Sequence, residues 1–224
     1  MTASTEPGYQ LDNAWEHARA RLAALERIHD PTTIRRLEGI GVGPGWRCLE
    51  VGPGAGSIAR WLCNRVGTGG SVRAVDLDTR FVEEIDAPNL TVDRLDLTTT
   101  ALPAESYDLC TQSLADEHLP DLGPLYREVG RVTKRGGHFV IVGFHPQFLM
   151  AGVPTHFDRA PREPVTIRCY VHLLSDHVKA AHAAGWSLLE MDEGLVDDAW
   201  LQKKPELQIY SGLPISFSMV WRHR

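Results

Sequence analysis

The sequence lacks the features that mark membrane-bound, secreted and nucleic-acid-binding proteins. It has no apolar run long enough to span a bilayer and no basic-then-apolar leader at its start, so we expect a cytoplasmic protein with no membrane partner. Lysine and arginine form no run longer than a short pair, and the chain has a net charge of −6, so no basic surface for phosphates is expected. We therefore expect a small-molecule partner and no nucleic acid.

Cysteine is also scarce, and the spacing of the metal-binding residue types matches no common site. The four cysteines are scattered, and Cys48 and Cys110 fall in segments predicted to be buried strands, so we expect reduced thiols. The ten histidines include no H-x-x-x-H pair. We expect His177 and His182 on an exposed helix face and His138 in solvent at a strand start. No metal site is predicted.

What the chain does contain is a glycine-rich turn between a predicted strand and a predicted helix, Ser57 to Val66. Its first glycine permits a tight reversal, its second removes the side chain that would keep a ligand off the backbone, and its third opens the helix. The dinucleotide fingerprint G-x-G-x-x-G would require glycine at position 57. The pattern is instead an acid followed by alternating glycines: Glu50, Gly52, Gly54 and Gly56.

This pattern resembles the first motif of the class I S-adenosylmethionine-dependent methyltransferases, (D/E)-x-G-x-G-x-G. The resemblance covers about residues 39–144. Within this family, the order and spacing of the predicted elements resemble the ubiquinone-biosynthesis type of small-molecule methyltransferase. It implies an α/β fold with a doubly wound, mostly parallel seven-stranded sheet, helices on both faces and an antiparallel last strand. It also implies S-adenosylmethionine as cofactor and methyl transfer to an oxygen, nitrogen or carbon of a small acceptor.

Two alternatives stay open. The first is a protein that binds S-adenosylmethionine without transferring its methyl group. The second is a nicotinamide-dependent oxidoreductase built on a similar sheet. The glycine spacing argues against the second alternative. The sequence leaves open whether the protein is a monomer or a homodimer.

A strand-then-helix rhythm extends through the chain and predicts the remaining elements. The predicted strands are Ser71–Asp76, Leu90–Asp96, Tyr107–Gln112, His138–Phe144, Ser187–Val196 and Ile215–Trp221. The predicted helices are Thr79–Ile85, capped by Asp78, then Leu122–Thr133 and Leu174–Ala184. A turn is predicted at Gly136–Gly137.

The ends of these strands supply the other expected cofactor contacts. Asp76 ends the second strand about twenty residues past the glycines, where an acid can accept both ribose hydroxyls. By the resemblance, Asp96 would meet the adenine amino group. The neighbouring residues Leu77, Leu97 and Ser113 complete the expected cofactor site.

Two segments are expected to cover the substrate. Residues 1–38 form a predicted helical lid segment, with an amphipathic helix from Tyr9 that ends at Asp30–Pro31 and offers Tyr9 or Trp15 to the ligand. Packing of this helix on the sheet is the alternative. Residues 39–224 form a single methyltransferase domain, with an irregular, proline-rich, pocket-forming insertion at about residues 145–170 that contains His156. A passive connector is the alternative for this insertion.

The candidate catalytic residues follow the fourth and fifth strands. By the resemblance, Asp116 stands beside the donor methyl group where a hydrophobic residue is usual. It either turns to solvent or caps a short helix, or it orients or deprotonates the acceptor. His145, fixed in direction by the proline after it, is the second catalytic candidate. We expect His118 to line the substrate pocket.

Overall fold

The computed structural model describes residues 18–152, 156–160, 163–166 and 168–224. Its centre is a seven-stranded sheet in the order β3-β2-β1-β4-β5-β9-β8, beside a two-stranded β6-β7 hairpin. Strands β1 to β5 pair in parallel, and β9 runs antiparallel to both of its neighbours. The predicted mostly parallel sheet with an antiparallel last strand is confirmed.

The elements follow one another along the chain with helices between most of the strands. The strands are β1 Arg47–Val51, β2 Ser71–Asp76, β3 Leu90–Arg94, β4 Tyr107–Ser113, β5 Thr133–Phe144, β6 His156–Ala160, β7 Glu163–Thr166, β8 Trp186–Leu195 and β9 Pro214–His223. The α-helices are α1 Ala18–Gly39, α2 Ser57–Val66, α3 Gly123–Val132, α4 Pro146–Met150, α5 Leu174–Ala183 and α6 Asp198–Lys203. Among the described residues, short 3-10 helices are formed by Val82–Glu84, Asp116–His118 and Pro205–Tyr210.

The sheet is buried on both faces because alternate side chains of its strands point to opposite sides. One core lies under α3 and α5 and includes Leu49, Phe139 and Trp221. The other lies under α1 and α2 and includes Cys48 and Val140. This two-sided burial is the doubly wound arrangement that the sequence predicts, and it directs the carboxyl ends of β1 and β4 toward the same edge.

Helix α1 differs from its prediction, because it continues through Pro31 to Gly39. The prediction that Asp30 and Pro31 end this helix was wrong. Proline removes a backbone donor and crowds the preceding turn, so contacts outside the helix must hold its second half. The predicted start at Tyr9 lies outside the described residues.

Those contacts come from polar side chains on the sheet side of α1. The Thr33 hydroxyl lies 3.0 Å from the Ser113 hydroxyl at the end of β4. The buried Arg36 guanidinium donates from Nε to the Ser218 hydroxyl at 3.0 Å and forms ion pairs with two carboxylates of β8, Glu190 and Asp192. Tertiary contacts therefore outweigh the local cost of the proline.

Three other local predictions were wrong. The helix predicted over Thr79–Ile85 is reduced to the 3-10 turn Val82–Glu84, which is enough to bury Val82 and Ile85 against Gly56. Strand β5 begins at Thr133 and passes through the predicted Gly136–Gly137 turn, with a register irregularity opposite Tyr107 and Leu109. The predicted irregular insertion contains α4 and the β6-β7 hairpin.

Candidate functional site

The glycine turn after β1 carries an unpaired buried carboxyl group. Glu50 is 4% exposed, and its Oε2 atom has no hydrogen-bond partner in the described part of the structure. Burial, followed by the nearby charges of Asp30, Asp76 and Glu26, raises the pKa of Glu50 to about 8. A buried acid without a partner is costly, so this position is suited to a cationic ligand group.

The three glycines of the turn have different surroundings. All three have positive φ, so the backbone conformation itself favours glycine. A Cβ on Gly56 would lie 2.5 Å from Ile85 Cδ1, and one on Gly52 would lie 3.0 Å from Ala115 Cβ, so these two glycines serve close packing. A Cβ on Gly54 would meet only Leu22 Cδ2 of α1, at 3.5 Å. Gly54 therefore faces the space between the turn and α1.

Asp76 and Asp96 lie at the ends of neighbouring strands, but local backbone groups engage both. Asp76 accepts a hydrogen bond from the Asp78 N–H at 3.1 Å, and burial raises the pKa of Asp76 although backbone N–H groups, including that of Gly54, oppose the shift. Asp96 accepts from the Thr98 N–H at 2.8 Å. Leu97 is buried in the core, whereas Leu77 is 46% exposed.

A cavity of about 340 Å³ extends from the glycine turn under one face of α1. Helix α1 forms its roof with side chains that include Leu22, Leu25 and His29. Its floor includes Glu50, Gly54 and Ser113, which come from the carboxyl ends of β1 and β4. Asp76 and Asp96 do not line this cavity.

The end of the cavity near the turn is acidic. Glu26 and Asp30 of α1 line it together with Glu50, and Glu26 Oε1 accepts a hydrogen bond from the Ser57 N–H at 3.3 Å, at the first turn of α2. Burial raises the pKa of Asp30 to about 6 although a hydrogen bond from Ser57 opposes this. Three carboxyl groups converge here, and no lysine or arginine forms an ion pair with them among the described residues.

The opposite end of the cavity is apolar and contains one lysine. Its walls come from strand ends and from the segments after β5 and β8: Phe144, Phe148, Trp200, Leu207 and Ile215. His29 lies among them, 4% exposed, with its ring 5.3 Å from that of Phe144. Burial and the positive charge of Lys204 lower the pKa of His29 to about 4, so the imidazole is neutral at neutral pH.

The catalytic candidate Asp116 is buried rather than turned to solvent. It is 2% exposed, and its Oδ2 lies 3.5 Å from Nε2 of His177, whose Nδ1 is 3.0 Å from the Tyr126 hydroxyl. His177 is fully buried, so its predicted exposure was wrong. Asp116 does not line the cavity, but the adjacent Glu117 does, and burial and the charge of Asp116 hold the pKa of Glu117 well above its usual range.

The predicted histidines occupy different positions. His118 lines the cavity, and burial lowers its pKa. His145 does not line the cavity: its Nδ1 accepts from the Gln147 N–H at 3.2 Å, and its Nε2 lies 2.8 Å from Glu193 Oε1. His138 is half-buried inside β5, so its predicted exposure was wrong.

Three predicted ligand contacts cannot be located in the site. Tyr9 and Trp15 lie outside the described residues. His156 begins β6, where it pairs with Thr166, and its side chain is not described. The pocket roles of these three residues stay predictions.

Comparison with known families identifies the domain around the glycine turn. A methyltransferase-domain family model matches residues 49–141, which contain the turn and strands β2 to β4. Residues 49–141 therefore belong to the methyltransferase-domain family, and the chain has the fold of S-adenosylmethionine-dependent methyltransferases. The structure of such a methyltransferase from Mesorhizobium loti matches 89% of this chain and 100% of its own with a TM-score of 0.70. At 23% identity this likeness demonstrates the shared fold.

The chain also resembles curated proteins over part of their length. The malonyl-[acyl-carrier protein] O-methyltransferase of Halorhodospira halophila is 31% identical over 79% of this chain and 57% of that protein. The uncharacterised methyltransferase YcgJ of Bacillus subtilis is 26% identical over 64% of this chain and 54% of that protein. The chain thus spans only about half the length of these relatives.

The residues of the turn fit the cofactor that the methyltransferase-domain family implies. S-adenosylmethionine carries a sulfonium and an ammonium group, and the turn offers an unpaired buried acid and an open face at Gly54. Among the described residues, no group of three His, Cys, Asp or Glu side chains could hold a metal ion. None of the described helices has the length and apolar character needed to cross a bilayer.

Sequence reasoning missed His29, Glu117 and Lys204 as cavity residues. A signal for His29 existed, because the spacing of Leu22 and Leu25 continues to His29 within the predicted helix. Glu117 was adjacent to a residue already singled out. Lys204 had no such signal, since only the fold brings the segment after β8 over the end of β5.

Proposed function

We propose that this chain transfers a methyl group from S-adenosylmethionine to a small molecule held in the cavity under α1. The observation that carries this proposal is the continuity of the cavity. It runs from Glu50 and Gly54 of the family motif to an apolar chamber at Phe144 and Ile215. Donor and acceptor would therefore meet in one water-poor space, as a direct transfer requires.

Bound S-adenosylmethionine supplies an electrophilic methyl carbon on a good leaving group, so the protein mainly has to orient the acceptor. Glu50 and Asp30 would hold the positive charges of the cofactor, and Gly54 would let it approach the backbone. Asp76 would accept the ribose hydroxyls, with Asp96, Leu77, Leu97 and Ser113 around the nucleoside. Helix α1 would exclude water from the cavity, which agrees with the lid role proposed for residues 1–38.

Proton removal is needed only if the acceptor is protonated, and the site offers one buried acid pair for it. We propose that Asp116 and Glu117 share this task, because Glu117 faces the cavity and the charge of Asp116 lies directly behind it. A buried acid with a raised pKa beside a second buried acid is typical of acid–base sites. His145 stays a candidate, but its capping and ion-pair contacts favour a structural role.

The proposal is tested first by binding and then by turnover. Calorimetry should show binding of S-adenosylhomocysteine in the micromolar range and none of NADH, whereas binding of NADH alone would favour an oxidoreductase. Incubation with S-adenosylmethionine and candidate acceptors should yield S-adenosylhomocysteine and a product one methylene group heavier. A chain that binds the cofactor but yields neither product with its authentic acceptor would be a binding protein or would catalyse another reaction.

Turnover also tests the acid pair. Glu117→Gln should lower turnover by about 10²–10⁴ if Glu117 takes the proton, with little change in cofactor affinity. Activity within a few-fold of the unmodified protein in both Glu117→Gln and Asp116→Asn would show that positioning alone drives the transfer.

A further inference from the structure

The cavity is electrically polarised along its length. Three of its four carboxyl groups, Glu26, Asp30 and Glu50, lie near the glycine turn, and the fourth, Glu117, follows β4. Lys204 lines the opposite end of the cavity, among aromatic and aliphatic side chains, and is positively charged. A cationic cofactor accounts for the acidic end but not for a lysine at the apolar end.

Lys204 is not explained by a structural ion pair. Among the described residues no carboxylate lies within ion-pair distance of it, and no hydrogen bond from its ammonium group is formed there. The side chain is half-buried, whereas its neighbour Lys203, the last residue of α6, is exposed and does not line the cavity. A cation that is partly withdrawn from water without a partner is suited to an incoming anion.

His29 provides a neutral polar group at the same end. His29 lines the cavity, and no hydrogen bond joins its ring nitrogens to another described residue. Lys204 lies close enough for its charge to act on the His29 ring. A neutral imidazole can both donate and accept one hydrogen bond.

We infer that the methyl acceptor is a largely apolar molecule bearing one anionic group, which Lys204 binds at the end of the cavity away from the glycine turn. The inference rests on the proposed function, because it assumes that the cofactor fills the acidic end. Phe144, Phe148 and Trp200 contact the apolar body of the acceptor, and His29 hydrogen-bonds a polar atom on it. The anionic group thereby orients the acceptor with its other end toward the donor.

The inference is tested with a pair of fluorescent probes that differ only in charge. Anilinonaphthalene sulfonate is an apolar anion, and N-phenylnaphthylamine is the same ring system without the sulfonate. Both are titrated into the protein saturated with S-adenosylhomocysteine, and into the variants Lys204→Gln, Lys204→Glu and Lys203→Gln. Lys203→Gln is the matched control because it removes the same charge one residue away, outside the cavity.

We expect Lys204→Gln to weaken binding of the anionic probe about five- to tenfold and Lys204→Glu to weaken it further, since a charge-assisted contact is lost and then reversed. Binding of the uncharged probe should stay within about twofold in every variant, and Lys203→Gln should leave both affinities unchanged. Equal affinity of the two probes, or equal effects of the two glutamine variants, would overturn the inference. Failure of S-adenosylhomocysteine itself to bind would instead contradict the proposed function.

Discussion

Among the titratable residues of the cavity, Glu50 and His29 have pKa values far from those in water. Glu50 has a raised pKa because it is buried near other carboxyl groups. His29 has a lowered pKa because it is buried beside Lys204. At neutral pH Glu50 is therefore mainly protonated, and the His29 imidazole is uncharged. Both states are sensitive to a charged ligand.

Glu50 should release its proton when a cation binds. With a pKa of about 8 it is mainly protonated at pH 7, and a bound ammonium group stabilises its ionised form. Calorimetric titration of S-adenosylhomocysteine in buffers of different ionisation enthalpy should therefore show release of about one proton per site. The Glu50→Gln variant should bind more weakly and release none. Proton uptake, or equal release in both proteins, would contradict this assignment.

His29 should make stability depend on pH in a defined window. Its folded-state pKa of about 4 lies below the ordinary 6.5, so the unfolded chain binds a proton that the folded chain does not between these values. The contribution of His29 to the free energy of unfolding is fully present above pH 6.5 and is lost as the pH falls toward 4. The complete loss amounts to about 3 kcal/mol.

Chemical denaturation measures this difference against a His29→Phe variant, which does not titrate at that position. Asp30, whose pKa is raised to about 6, titrates in both proteins, so its effect is largely removed by the comparison. Parallel pH profiles of the two proteins would mean that His29 is charged or hydrated in the fold.

At the scale of elements, α1 connects the cavity with the far end of the sheet. Its first half covers the glycine turn, and its second half reaches β9 and β8 through Arg36. The proline between the two halves would weaken an isolated helix. The roof of the site is therefore held by a side chain that does not itself line the cavity.

Loss of Arg36 should destabilise the fold. Arg36→Met would remove the hydrogen bond to Ser218 and both ion pairs while keeping much of the apolar stem, at an expected cost of about 1–3 kcal/mol in the free energy of unfolding. Arg35→Met is the matched control, since Arg35 is exposed and should change stability by less than about 0.5 kcal/mol. Urea denaturation of both variants decides the point, and equal effects would show that the α1 contacts are not stabilising.

For the molecule as a whole, the sequence predicted what local signals determine. Helix Ser57–Val66 and strand Ser71–Asp76 have the predicted bounds, because glycines and apolar spacing set both. Continuation of α1 past Pro31 depends on Arg36 meeting strands near the other end of the chain, which no local window contains. The same limit applies to the site. The acidic residue Glu50 belongs to one local motif, but the proximity of His29 and Lys204 exists only in the folded protein.

The binding energy of the cofactor should appear as stability of the entire fold. A ligand at about one hundred times its dissociation constant stabilises the native state by about 2.7 kcal/mol, which for a chain of this size raises Tm by about 5–10 °C. Thermal unfolding should show this rise with S-adenosylhomocysteine, and NADH should leave Tm unchanged.

Gly54→Val should abolish the ligand-induced rise in Tm while leaving the protein folded. The branched side chain would fill the space between the turn and Leu22, where the backbone of the turn is otherwise open to a ligand. Gly67→Val carries a similar positive-φ strain but meets nothing within 4 Å, so it should lower the basal Tm and keep the ligand-induced rise. If Gly54→Val keeps its circular dichroism spectrum and the full rise in Tm, the cofactor does not lie against this turn.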